Sequence, residues 1–140
     1  MSIDELIDNF SFLDSWEDRY KYLIELGNSL PHLPEDKKSD EWKVPGCQSQ
    51  VWIIPHYENP KISFEGDSDA IIVRGIIAVV LEIFKDKPAQ EILDIDVEDI
   101  FDKMGLREHI TPNRRSGMLS MVDKIKYYST QALGKQNERL

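Results

Sequence analysis

One side chain can act as a strong nucleophile or a soft ligand, and it occurs once. Cys47 lies in the run Val44-Pro45-Gly46-Cys47-Gln48-Ser49-Gln50-Val51-Trp52. Proline fixes one backbone angle and glycine permits φ > 0, so the chain can bend sharply just ahead of the thiol. Val51-Trp52-Ile53-Ile54 is β-branched and aromatic, which favours a strand. The thiol is thereby presented at the mouth of a rigid element, on a loop able to move. A lone cysteine is often only a small buried hydrophobe. Here the flanks are turn and polar residues rather than core neighbours, and the local sequence leaves the buried and the reactive readings level.

The rest of the chain narrows what that thiol can do. With no second cysteine there is no internal disulfide and no dithiol redox pair. There is no Cys-x-x-Cys or Cys/His cluster at zinc spacing, and an iron–sulfur cluster normally needs several thiolates. Nucleophilic attack, or carriage of a group on sulfur, remains. Lys43 is opposed by Glu41, so no nearby cation clearly activates the thiol; its reference pKa is about 8.5, and activation must come from the fold or a partner.

His32, His56 and His109 fall on a loop, a strand end and a helix junction, and one of them could act as base in a Cys-His hydrolase. No local signature for such an enzyme is present, and surface or structural histidines are the simpler reading. Asp67-Ser68-Asp69 resembles the start of a calcium loop, but Ile71 and Ala78 occupy the fifth and twelfth positions, so a turn is expected. Arg114-Arg115 sits just inside a helix start, where backbone N–H groups favour anions. That pair could bind a carboxylate or a partner's acidic edge, although from the residues alone a solvated first turn is the preferred reading. No phosphate-binding glycine motif or Gly-x-Ser-x-Gly occurs.

These residues need a scaffold. Ile3, Leu6, Ile7 and Phe10 recur at helical spacing. Ser15 with Asp18 resembles a capping box, and Trp16, Tyr20, Leu23, Ile24 and Leu30 follow on one face of a second helix, ended by Pro31 and Pro34. Residues 31–43 read as a loop. Three strands are expected at Gln48–Tyr57, Lys61–Gly66 and Ala70–Arg74, joined by Glu58-Asn59-Pro60 and Gly66-Asp67-Ser68-Asp69 as hairpins. Gly75 then breaks the period, and Ile76 to Phe84 forms an apolar helix that should be central and buried. Pro88 begins a short piece. Asp96 caps a helix carrying Val97, Ile100, Phe101 and Met104, with Gly105 as its stop. Thr111-Pro112 starts a last helix through Met118, Met121, Val122, Ile125, Tyr128 and Ala132, with order ending at Gly134. The expected class is α+β, a three-stranded antiparallel sheet packed against helices.

At 140 residues and 16.3 kDa, with 41% apolar and 31% charged side chains, a single domain over 1–140 is expected. The net charge of −9 disfavours nucleic acid, whose phosphates attract Lys and Arg. Residues 101–140 nonetheless carry eight basic and four acidic side chains; such a segment could guide a charged protein partner, but on the charge pattern alone Lys and Arg solvating the last helix is the preferred reading. The acidic N-terminus lacks the pattern of a secretory leader, no apolar run reaches membrane-spanning length, and a single cysteine fits a reducing compartment. No membrane association and a cytoplasmic location are expected.

The run from Val44 to Ile53, with Gly46-Cys47-Gln48-Ser49-Gln50 at its centre, resembles the signature of the SufE family, the sulfur acceptors of iron–sulfur assembly. Other blocks are similar in the family's order: Glu25-Leu26-Gly27 in the second helix, Gly66-Asp67-Ser68-Asp69-Ala70 with Ile72-Val73-Arg74-Gly75, and Leu106 to Gly117 with His109, Thr111-Pro112, Arg114 and Gly117. Pro45 occupies a variable position. Arg115 stands where a small polar residue is expected, which leaves Arg114 as the matched arginine.

The resemblance implies a fold like that of the U-type cluster scaffold, with the cysteine loop packed on apolar side chains. It implies that Cys47 takes sulfur as a persulfide from a pyridoxal-phosphate cysteine desulfurase of the SufS type, stimulating that enzyme, and passes it to a scaffold complex of the SufBCD type. It implies no cofactor or metal of the chain's own, since the pyridoxal phosphate belongs to the desulfurase. Gly46, Gln48, Asp69 and Arg114 become loop-supporting or partner-binding positions. A weak homodimer stays open. The alternatives are an iron–sulfur scaffold or metal-binding module and, ranked below it, a Cys-dependent hydrolase.

Overall fold

In a computed structural model the chain is described over residues 2–58 and 60–138, with side chains described to residue 134. Helix α1 spans Ile3–Ser11 and α2 Trp16–Ser29; strands β1 (Val51–Glu58) and β2 (Lys61–Ser68) follow; α3 is Ile71–Phe84, β3 Lys87–Pro88, α4 Ala89–Leu93, α5 Val97–Lys103 and α6 Pro112–Glu138. The expected α+β architecture is present, an antiparallel sheet in the order β1-β2-β3 with helices against it.

Local signals set most helix ends. The Ser15 hydroxyl accepts from the Asp18 amide at 3.1 Å, and Asp96 accepts from Asp99 at 3.2 Å. Gly105 stops α5 at φ 73°, a backbone angle that side chains resist. Pro112 opens α6 behind Thr111, whose Oγ1 accepts from the Arg114 amide at 3.4 Å.

The β1–β2 hairpin is in register from Val51↔Ser68 to Glu58↔Lys61; Asn59, assigned to its turn, lies outside the described residues. β1 runs through Pro55, which an edge strand tolerates because alternate N–H groups there have no ladder partner. The third strand is elsewhere than expected. Residues 71–74 open α3, and the sheet's third member is the two-residue β3, paired through Lys61↔Pro88 and Ile62↔Lys87. Gly66-Asp67-Ser68 is consequently the end of β2 rather than a hairpin turn.

Tertiary packing overrides the β-branched run Ile71-Ile72-Val73. As helix, it turns Arg74 inward to meet the fully buried Asp67 carboxylate. Arg74 Nη2 also donates to the carbonyl oxygens of Gly27, at 3.0 Å, and Leu30, at the end of α2. Gly75 continues the helix because α2 lies against it: a Cβ there would come within 2.5 Å of the Leu23 carbonyl oxygen.

As expected, α3 is central, with Ile76, Ile77, Val79, Val80, Ile83 and Phe84 buried against α2, β2 and α6. Helix α6 does not end at Gly134 but continues to Glu138. Interior glycine costs about 1 kcal/mol relative to alanine, which a long helix packed over most of its length absorbs.

Candidate functional site

Cys47 sits on a tongue closed at its base. The Val44 amide donates to the Val51 carbonyl at 2.8 Å, and both residues are buried. Lys43 bridges to Trp52, and the Ile53 amide donates to the Trp42 carbonyl at 3.0 Å. The tongue turns at Pro45-Gly46, where Gly46 has φ 81°, the angle required after proline in a type II turn. Gly46 also lies close to α6: a Cβ there would approach Ser120 Oγ to 3.2 Å.

The turn directs the Cys47 side chain against α6, where it is half-buried. Its Sγ lies 3.7 Å from the Gly117 carbonyl oxygen, to which the thiol donates a weak hydrogen bond. Burial raises the thiol's pKa above its ordinary value, because a thiolate there would lose hydration without gaining a cation in contact.

A cavity of about 140 Å³ opens beside the sulfur. Val51, Ile72, Val73, Ile76 and Met121 form its apolar wall, while Gln48, Ser49, Asn113 and Arg114 form its polar side. Three of the residues singled out in the sequence, Cys47, Gln48 and Arg114, therefore meet at one site. Arg114 is half-buried and, among the described residues, has no carboxylate partner. Its neighbour Arg115 is engaged elsewhere, donating through Nε to Glu98 at 2.9 Å.

Gly46 and Asp69 support the loop from outside the cavity. The exposed Asp69 accepts the Gln50 amide at 3.0 Å through Oδ1. Asp67, two residues before it, is structural. Its Oδ2 accepts the Leu33 amide at 3.0 Å and its Oδ1 the Ser68 amide at 2.8 Å, and Arg74 pairs with it.

None of the histidines lines the cavity. His32 is next to Arg74, His56 is 2.9 Å from Glu65, and His109 stacks on Trp16 with ring centroids 4.5 Å apart. A Cys-His pair is thus not assembled. Among the described residues, no three of His, Cys, Asp and Glu are grouped as a ligand set. The sequence reading gave no site role to Gly117, Asn113 or Met121. Of these, Gly117 carried a signal, being a glycine inside a helical pattern and part of the family's C-terminal block.

The arrangement can hold one sulfur nucleophile quiet against an apolar wall, with a cation available nearby. Comparison with known proteins adds the family. Residues 4–129 match the sequence model of SufE, described as an Fe-S metabolism associated domain. An uncharacterized SufE-like protein of Rhizobium meliloti (strain 1021) is 54% identical over 129 residues, covering 89% of this chain and 92% of the relative. One from Rhizobium etli is also 54% identical over 129 residues, with 89% and 87% covered. The solution structure of a hypothetical protein from Thermus thermophilus has the same fold, with TM-score 0.78, 19% identity, and 96% and 99% of the two chains covered.

Proposed function

The chain belongs to the SufE family, and from that premise we propose that it accepts sulfur from a cysteine desulfurase of the SufS type and carries it as a persulfide on Cys47. Membership ties the chain to iron–sulfur metabolism. The observation that carries the finer reading is the sole thiol, held at the tip of a closed-base tongue in a cavity shared with Arg114, which has no carboxylate partner among the described residues.

The chemistry balances without an external oxidant. The Cys47 thiolate attacks the outer sulfur of the desulfurase persulfide; a new S–S bond forms at Cys47, the old one breaks, and the desulfurase cysteine leaves as thiolate. The raised pKa of the resting thiol keeps it protonated and slow toward other electrophiles. Docking draws the tongue off α6, which restores hydration, lets the thiol give its proton to water, and delivers the thiolate to the partner's active site. A solitary cysteine suits a carrier, because a second thiol would discharge the persulfide as a disulfide.

Arg114, on the rim of the same cavity, supplies positive charge toward a persulfide anion or the partner's acidic edge. Gln48 orients the loop. The pyridoxal phosphate belongs to the partner, and a SufBCD-type scaffold complex receives the sulfur. An iron–sulfur scaffold reading would need ligands shared between chains.

The test is intact-mass analysis after mixing with a desulfurase and L-cysteine. One sulfur atom should be gained by the wild type and none by Cys47→Ser. An unchanged wild-type mass, with desulfurase turnover unaltered by added protein, would remove the assignment.

A further inference from the structure

Gly117 lies within α6 on a buried turn, where alanine would be the better helix former. Its lack of a side chain is not required by the resting thiol. A methyl built on its Cα would stand 3.5 Å from Cys47 Sγ and 4.0 Å from Cys47 Cβ, both ordinary van der Waals contacts. Beyond α6's own backbone and the adjoining residues, nothing else comes within 4 Å of that methyl. We infer that Gly117 is a specificity-determining position that reserves space for the outer sulfur of a Cys47 persulfide, an inference resting on the persulfide reading above.

The outer sulfur takes the valence of Sγ now occupied by hydrogen, at about 2.05 Å. That hydrogen is directed toward the Gly117 carbonyl oxygen, only 3.7 Å from Sγ, which leaves no room for sulfur on the same line. Rotation about the Cβ–Sγ bond carries the outer atom aside, into the cavity that Gly117 lines with Val51, Ile76 and Met121.

A methyl on residue 117 would narrow that route. With Sγ 3.5 Å from the methyl and the outer sulfur held to the same contact distance, directions within roughly 70° of the Sγ–methyl line are excluded. The outer sulfur is then pushed away from α6, out of the space that Gly117 lines. Glycine at 117 thus separates the persulfide from the thiol: the thiol has room beside either residue, while the outer sulfur keeps its full choice of directions only beside glycine.

The experiment compares the wild type, Gly117→Ala and Gly134→Ala. The last adds a methyl to the same helix with nothing within 4 Å, and controls for helix propensity. Each protein is loaded in two ways, by desulfurase with L-cysteine and by inorganic polysulfide. In the second, the Cys47 thiolate attacks a polysulfide sulfur, and a polysulfide one atom shorter leaves. Sulfide release by dithiothreitol is then followed; the persulfide returns to thiol, hydrosulfide leaves, and the dithiol is oxidised to its cyclic disulfide. Iodoacetamide alkylation of the unloaded thiol reports the resting pocket.

Gly117→Ala should release sulfide at least about tenfold faster than the wild type, with unloaded-thiol alkylation within about twofold, and Gly134→Ala should match the wild type in both. Equal release from Gly117→Ala and wild type, or equal acceleration in Gly134→Ala, would overturn the inference. If the wild type loads from polysulfide but never from the desulfurase, the proposed function fails, while the release rates still decide the role of Gly117.

Discussion

Asp69 and Gln50 hold each other twice: Asp69 Oδ1 accepts the Gln50 amide hydrogen at 3.0 Å, and the Asp69 amide donates to the Gln50 carbonyl at 3.4 Å. This tie joins the C-terminal side of the Cys47 tongue to the start of α3. It is exposed, so it can open without unpacking the core.

Asp69→Ala should therefore loosen the tongue while leaving the fold intact. Loss of one such hydrogen bond is worth about 1 kcal/mol, which corresponds to roughly a fivefold gain in the open population. Alkylation of Cys47 by iodoacetamide should accelerate by about that factor. No change in rate would mean that the base of the tongue, not Asp69, holds it closed.

The same measurement carries a pH signature. Burial raises the thiol's folded-state pKa, so protonated Cys47 stabilises the closed tongue at pH values below the ordinary thiol pKa, and that stabilisation is lost as pH rises through the folded pKa. The alkylation rate of the native protein should titrate with a midpoint above that of the urea-unfolded chain. Coincident midpoints would contradict a desolvated resting thiol.

Arg114 and Arg115 should separate cleanly. Arg114→Ala removes a cation with no ion pair among the described residues, so stimulation of a desulfurase at sub-saturating protein should fall severalfold with little change in Tm. Arg115→Ala breaks a partly exposed pair with Glu98, worth about 0–1 kcal/mol, and should leave stimulation unchanged. Undiminished stimulation by Arg114→Ala would remove Arg114 from the site.

The Asp67–Arg74 pair makes the fold acid-sensitive. Burial is the largest influence on Asp67 and acts to raise its pKa. The Leu33 and Ser68 amides with the cations of Arg74 and Lys38 outweigh it, and the carboxyl is held below its ordinary value. Its stabilisation is present above the unfolded-state pKa of about 3.9 and is lost as pH falls through the lower folded value. Urea midpoints should fall between pH 6 and pH 3. Asp67→Asn should cost about 3–5 kcal/mol at pH 7 by leaving Arg74 buried without its counter-charge, and should flatten the acid dependence. A variant as stable as the wild type at pH 7 would show that the carbonyl contacts of Arg74 suffice.

Much of this was legible in sequence wherever the cause is local. The caps at Ser15, Asp96 and Thr111 and the stop at Gly105 act within one helical turn, so their residue types announce them. Cys47 on its Pro45-Gly46 bend was equally readable, since a turn is a property of neighbouring residues. The family signature picked out Arg114 with it, and the two share a cavity wall.

What the chain's order alone decided, then, was where most elements begin and end and that its single thiol sits on a bend. Tertiary structure decided the rest. Ile71-Ile72-Val73 has strand propensity, yet it is helix because Arg74 must meet Asp67 and the carbonyls at the end of α2, and because Gly75 admits Leu23 at close range. The space beside Cys47 was equally invisible, being formed between a loop and a helix 70 residues apart, one of whose side chains is only a hydrogen atom. Propensity and capping are written in near neighbours; a buried ion pair and a cavity exist only after distant segments have met.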